Sequence, residues 1–154
     1  MSEIDRIADQ LRRAFEGEAW HGPSVREVLT GVTGGRAAAR PLRGAHSIGE
    51  IVRHIAVWED VVRRRLLGER VVHLPPEEDW PPASDASEPG WRRTLERLEA
   101  GHRGLLETVA RLDDARLEEA VPGKGYSVYV MLHGVVQHDL YHAGQIALIK
   151  KAPA

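Results

Sequence analysis

Two histidines four residues apart, His138 and His142, followed by Gln145, stand in the stretch HGVVQHDLYHAGQIALIKK, residues 133 to 151. On a helix this spacing projects both imidazoles from adjacent turns of one face, so the two rings can bind a single ion. Val128, Met131, Val135, His138, His142, Gln145 and Ile149 alternate at intervals of three and four and define one stripe. The stripe is apolar at both ends and polar in its middle. A buried polar group without a partner costs roughly 1 to 3 kcal/mol. Three in succession on a packing face therefore need a reason, and a metal ion supplies one. The pair is not the zinc-protease HExxH, because Asp139 follows the first histidine and no glutamate lies between the two.

Two ligands rarely hold a metal, so a third must come from another element. His54 borders the apolar face of its segment, three residues after Ile51 and four before Trp58. His102 is the rival, since it lies on the apolar seam of its own segment. Its ordinary alternative is a packed histidine bonded to a backbone group or a carboxylate. His133 precedes His138 by five residues and points roughly 140° away at about 100° per residue, which makes it a non-ligand. His21, His46 and His73 fall in connectors or caps.

The elements that must position these residues are helices. Ile4, Ile7, Ala8, Leu11, Ala14 and Phe15 have helical spacing behind a Ser2 cap, over residues 3 to 16. GEAWHGP interrupts that helix, and a short piece from Ser24 to about Val32 follows, with Pro23 placed in its first turn. TGGRAAARP, residues 33 to 41, is a connector with room for one helical turn. Ser47 and Glu50 form a capping box that opens a helix through about Leu67, closed by Gly68. Its inward positions are Ile48, Ile51, Val52, Ile55, Trp58, Val62 and Leu66. HLPPEEDWPPASDASEPG, residues 73 to 90, holds five prolines and reads as a long loop, with Trp80 a candidate cover for a pocket. Trp91, Leu95, Leu98, His102, Leu105, Val109 and Leu112 mark a third long helix. DDARLEEAVPGKGYS leads into the last one. No strand-like alternation is found beyond a few residues around Val71. Four long amphipathic helices with one proline-rich crossing predict an all-α four-helix bundle.

The totals exclude several functions. A length of 154 residues fits one domain, 1 to 154, with a real core. Net charge −2 offers no electrostatic footprint for nucleic acid or an anionic membrane. With four Trp, three Tyr and one Phe, base-stacking platforms are not expected. The absence of cysteine rules out disulfides, thiolate zinc sites and a cysteine nucleophile, and fits a cytoplasmic protein. The charged start MSEIDRIADQLRRAF is not a signal peptide, and no run approaches the ~18 apolar residues of a membrane span. GKGY at 123 to 126 lacks the P-loop frame.

The run HDLYHAGQI resembles the last helix of the DinB superfamily of metal-binding four-helix proteins. AWHGPS at 19 to 24 and HSIGEIVRHIAVWE at 46 to 59 resemble that family's first-helix exit and second helix. The resemblance spans nearly the whole chain. It implies an up-down-down-up four-helix bundle, usually dimeric, with a three-histidine metal site on His54, His138 and His142. It also selects His54 over His102, a choice that spacing leaves open. Relatives include thiol S-transferases using bacillithiol, mycothiol or glutathione, a mycothiol-dependent maleylpyruvate isomerase, and hydrolases, so the activity is not implied in detail.

Three neutral imidazoles leave coordination positions open, as in a catalytic rather than a closed structural site. Zinc, nickel, iron, copper or manganese are the divalent transition metals in view. Such an ion would activate a bound water or hold a low-molecular-weight thiol as thiolate. Glu50, Asp139 and Gln145 are candidates to orient the rings, and Trp20, Trp58, Trp80 and Tyr141 are candidate pocket walls. Three functions compete. The first is a metal-dependent transferase or hydrolase acting on a small-molecule substrate or thiol. The second is a non-catalytic metal or small-ligand binding protein of the stress response. The third is a structural homodimer whose histidines only pack.

Overall fold

Hydroxyl side chains open the helices. In the computed structural model, which describes residues 1–82 and 85–153, Ser2, Ser24, Ser47, Ser87 and Ser127 and Thr33 each accept a hydrogen bond from a first-turn amide. Ser2 with Asp5, Ser24 with Glu27 and Ser47 with Glu50 complete reciprocal capping boxes. The helices they start are α1 (Glu3–Phe15), α2 (Val25–Leu29), α3 (Gly34–Ala38), α4 (Ile48–Leu66), α6 (Glu88–Val109) and α7 (Val128–Lys151). A single proline-led turn, α5 (Pro76–Asp79), lies between α4 and α6, and a 3₁₀ turn spans Asp114–Glu118. The fold is all-α. Among the described residues the only β pairing is an isolated bridge between Ala120 and Ser127, and no helix is long and apolar enough to cross a membrane.

Three boundaries differ from expectation. Pro23 stands outside α2, because Ser24 provides the cap. The segment 73–90 is not all loop: it contains α5, and α6 begins at Glu88 because Ser87 caps it and Pro89 fits its first turn. Residues 83 and 84 of that segment lie outside the described residues. Val71 is buried without belonging to a strand.

The long helices α1, α4, α6 and α7 pack on one another, α4 against both α6 and α7, and α1 against α6 and α7. Their inward faces form two apolar clusters. One gathers Phe15, Val25, Ile48, Ile55, Trp91 and Ile146, and the other Leu11, Val62, Leu105, Val109, Leu132 and Val135. Between the clusters, each of α4, α6 and α7 turns polar. Glu59, His102 and Asp139 are fully buried there, and His54 and His142 nearly so. The candidate site is the edge of this belt where α4 meets α7. The C-terminal end of α7 is held by Arg36, whose Nη2 donates to the carbonyls of Ile149, Lys150 and Ala152.

Candidate metal centre

α7 buries the row Val128, Leu132, Val135, Asp139, His142, Ile146 and Ile149, which keeps a strict four-three alternation. The stripe's axis is therefore shifted slightly from the expected one. Asp139 lies on it, whereas His138 and Gln145 stand half-buried at its edge. On α4, His54 faces the same edge. The three rings converge: His138 Nε2 is 3.1 Å from His54 Nε2 and 3.1 Å from His142 Nε2. Two nitrogens bound tetrahedrally at about 2.0–2.1 Å from one ion would lie about 3.3 Å apart. The observed spacing is close to that, and these three residues form a group able to hold a metal ion.

The remaining ring nitrogens settle what the Nε2 atoms present. His54 Nδ1 lies 2.7 Å from the backbone carbonyl oxygen of Asp79, which can only accept. His142 Nδ1 lies 2.7 Å from Gln145 Oε1, also an acceptor. Both rings therefore carry their proton on Nδ1 and turn an Nε2 lone pair toward the common point. His138 Nδ1 is buried without a hydrogen-bond partner, with Asp139 Oδ1 3.8 Å away. One ring proton cannot satisfy two facing lone pairs 3.1 Å away on either side, whereas a cation accepts all three. The residues fit the group.

Electrostatics agrees. Burial holds the imidazoles of His138 and His142 down to about 4, with the neighbouring His138 and His54 rings contributing at His142. His54 is lowered by burial against the opposing pull of the Asp79 carbonyl. All three are neutral at pH 7, the form in which imidazole is a ligand.

Aromatic rings wall the site from the α5 side. Trp80 stacks on His54 at 3.8 Å between ring centroids and 5° between planes, and its other neighbour His46 stacks at 3.6 Å and 3°. Trp58 Nε1 donates to Asp79 Oδ1 at 2.7 Å, which fixes the turn whose carbonyl orients His54. Tyr141 meets His142 edge-on but is largely exposed. Trp20 is fully exposed and walls nothing. Of the candidate orienting groups, Gln145 holds the His142 ring. Glu50 does not, being bound to Ser47 and paired with Arg40.

Asp139 and Glu59 share the middle of the core. Burial first, and for Glu59 the neighbouring Asp139 charge, push both carboxyls well above the ordinary range. His102 lies beyond them. It is fully buried, stacked on Phe15 at 3.8 Å, with Nδ1 2.9 Å from Glu59 Oε1. It is the carboxylate-bonded packed histidine rather than a third ligand. His133 is also apart from the cluster, against the ring of Tyr129.

Asp79, His46 and Glu59 are site neighbours that residue spacing did not single out. Asp79 acts on His54 through its main chain, which leaves no mark in a sequence. Glu59 did leave one, since Ile48, Val52, Ile55, Glu59, Val62 and Leu66 keep the four-three alternation of the buried face.

Neither a search of curated proteins nor one of solved structures returned a match. The family model of the DinB superfamily matches residues 19–146, which include α4, α6, most of α7 and all three converging histidines. The chain therefore belongs to the DinB superfamily.

Proposed function

We propose that His54, His138 and His142 hold one divalent transition metal with at least one coordination position free, and that the protein uses it as a transferase or hydrolase on a small-molecule substrate or a low-molecular-weight thiol. The observation that carries this reading is the convergence of three Nε2 atoms, two of them fixed as lone pairs by the Asp79 carbonyl and Gln145. When bound, the metal would supply Lewis acidity, lowering the pKa of a bound water or thiol. The chain's own part is to orient the rings, keep them unprotonated, and exclude water on the α5 side with Trp80. In this reading the chain is a single up-down-down-up four-helix domain, cytoplasmic, with no nucleic-acid role. Val130, Tyr141 and Leu148, exposed along one line of α7, support a homodimer.

The test is metal analysis of the purified protein, followed by thiol-transfer and ester-hydrolysis screens of wild type against His138→Ala. Metal and activity should be lost together, and equal activity in the variant rejects the enzyme. One observation favours a binding protein without turnover. Of the carboxyls beside the rings, Asp139 is buried in the core, and Asp79 Oδ1 lies against His54 Nδ1, on the side of that ring away from the converging Nε2 atoms, where it accepts from Trp58 Nε1, so neither is placed at the converging nitrogens as a general base. A thermal shift with metal and thiol but no product would select that second reading.

A further inference from the structure

Beside His138, between α4 and α7, lies a cavity of about 300 Å³. That is the lower end of the range for small-molecule sites, roughly 300–1,000 Å³. Its sides are apolar: Trp58 and Val62 from α4, and Val130, Met131 and Val135 from α7. One end is His138. The other is Arg65 with Tyr126.

Arg65 is out of place by ordinary rules. It is 3% exposed, and a buried guanidinium is normally paired with a carboxylate. Its neighbours Arg63 and Arg64 are so paired, with Asp60 and Glu69. Among the described residues, Arg65 has only neutral partners. Nε donates to the carbonyl of Val71 at 2.9 Å, Nη1 donates to Tyr126 Oη at 3.0 Å, and the guanidinium carbon sits 5.7 Å from the centroid of the Trp58 ring. Nη2 is buried with no hydrogen-bond partner. Tyr126, whose oxygen accepts from Arg65, keeps its own proton to donate. A cation and a hydroxyl donor thus stand together at the end of an apolar slot, and no anion of the described chain answers them.

We propose that this cavity binds a small carboxylate with an apolar body. The carboxylate is received by Arg65 and Tyr126 and the body lies against Trp58, Val62 and Met131. The carboxylate supplies the missing counter-charge, and its planar pair of oxygens suits guanidinium geometry. The slot's opposite end at His138 brings the far end of such a ligand to the histidine cluster. Only that last contact rests on the metal reading above.

Gly134 gives a means of testing it. It lines the cavity, and a Cβ added there meets nothing within 4 Å. Gly134→Leu should therefore fill the slot without a clash, and leucine is also the better helix former. Sodium phenylacetate and its neutral isostere phenylacetamide are titrated calorimetrically into the protein as purified and after chelator treatment. The acid should bind once per chain in both forms. The amide should bind at least about tenfold more weakly, as expected for loss of a charged hydrogen bond. Gly134→Leu should lose at least about tenfold in affinity with circular dichroism and metal content unchanged, and Tyr126→Phe roughly fivefold. Equal binding of acid and amide, undiminished binding by either variant, or no binding at millimolar acid overturns the proposal. So does binding confined to metal-containing protein, which would put the carboxylate on the cation. Failure of the histidines to take up metal overturns the functional reading alone, because acid binding is also read without metal.

Discussion

Gln145 offers a sharp test of how the site is prepared. Its Oε1 lies 2.7 Å from His142 Nδ1 and holds the ring proton on that side. Gln145→Leu keeps the side chain's bulk and removes the acceptor, and groups in this role are typically worth about 10–100-fold in metal affinity. With metal at about 1,000 times the wild-type Kd, binding stabilises the native state by about 4.1 kcal/mol. After a 10–100-fold loss the same concentration yields about 2.7 to 1.4 kcal/mol. For a chain of this length 1 kcal/mol corresponds to about 2–4 °C in Tm, so the metal-induced rise should shrink by roughly 3–11 °C. The assay is differential scanning fluorimetry of chelated and metal-loaded protein. Comparing the two removes whatever the substitution costs the metal-free fold. Gln145→Glu, which retains an acceptor, should keep the full shift. An unchanged shift in Gln145→Leu would refute the argument that this contact sets the lone pair.

Acid should release the metal late. Proton and cation compete for the same Nε2 atoms, and burial holds His138 and His142 near about 4 rather than the ordinary 6.5. The metal-dependent part of the stability should therefore be nearly full at pH 5.5 and disappear as pH falls through about 4, read as the thermal shift against pH. Trp80→Ala removes a ring stacked between two imidazoles and should cost about 1–3 kcal/mol by urea unfolding, with faster loss of metal to chelator. Gly34→Ala would place a Cβ 2.8 Å from the Ala86 carbonyl oxygen and 2.9 Å from that of Ser87. Backbone does not yield cheaply, so a loss of about 1–3 kcal/mol in urea is expected.

Much of this arrangement can be read in the chain. The Ser2 and Ser47 caps, the apolar periodicity of α1, α4, α6 and α7 and the inward-facing histidines are local properties, and each appears at the expected positions to within a few residues. The start of α6 was harder, because proline marks both loops and first helical turns, and Ser87 decides between them. The orienting partners divide by type. Gln145 is a side chain three residues from its histidine and is visible as such. The Asp79 carbonyl approaches His54 from 25 residues away through a turn whose position depends on Trp58 and Trp80. The choice between His54 and His102 needed the resemblance, since both lie on buried faces, and only three-dimensional packing shows that Glu59 already occupies His102.

The polar belt between the two apolar clusters has a consequence for assembly. Leucine, valine and isoleucine surfaces can slide past one another with modest loss, but a one-turn slip of α6 along α4 would strand Glu59 and His102 without each other in a dry interior. The belt thus acts as a registration mark, setting the height at which the helices meet. The alignment of His54 with His138 and His142 across α4 and α7 is inherited from contacts deeper in the molecule than the rings themselves.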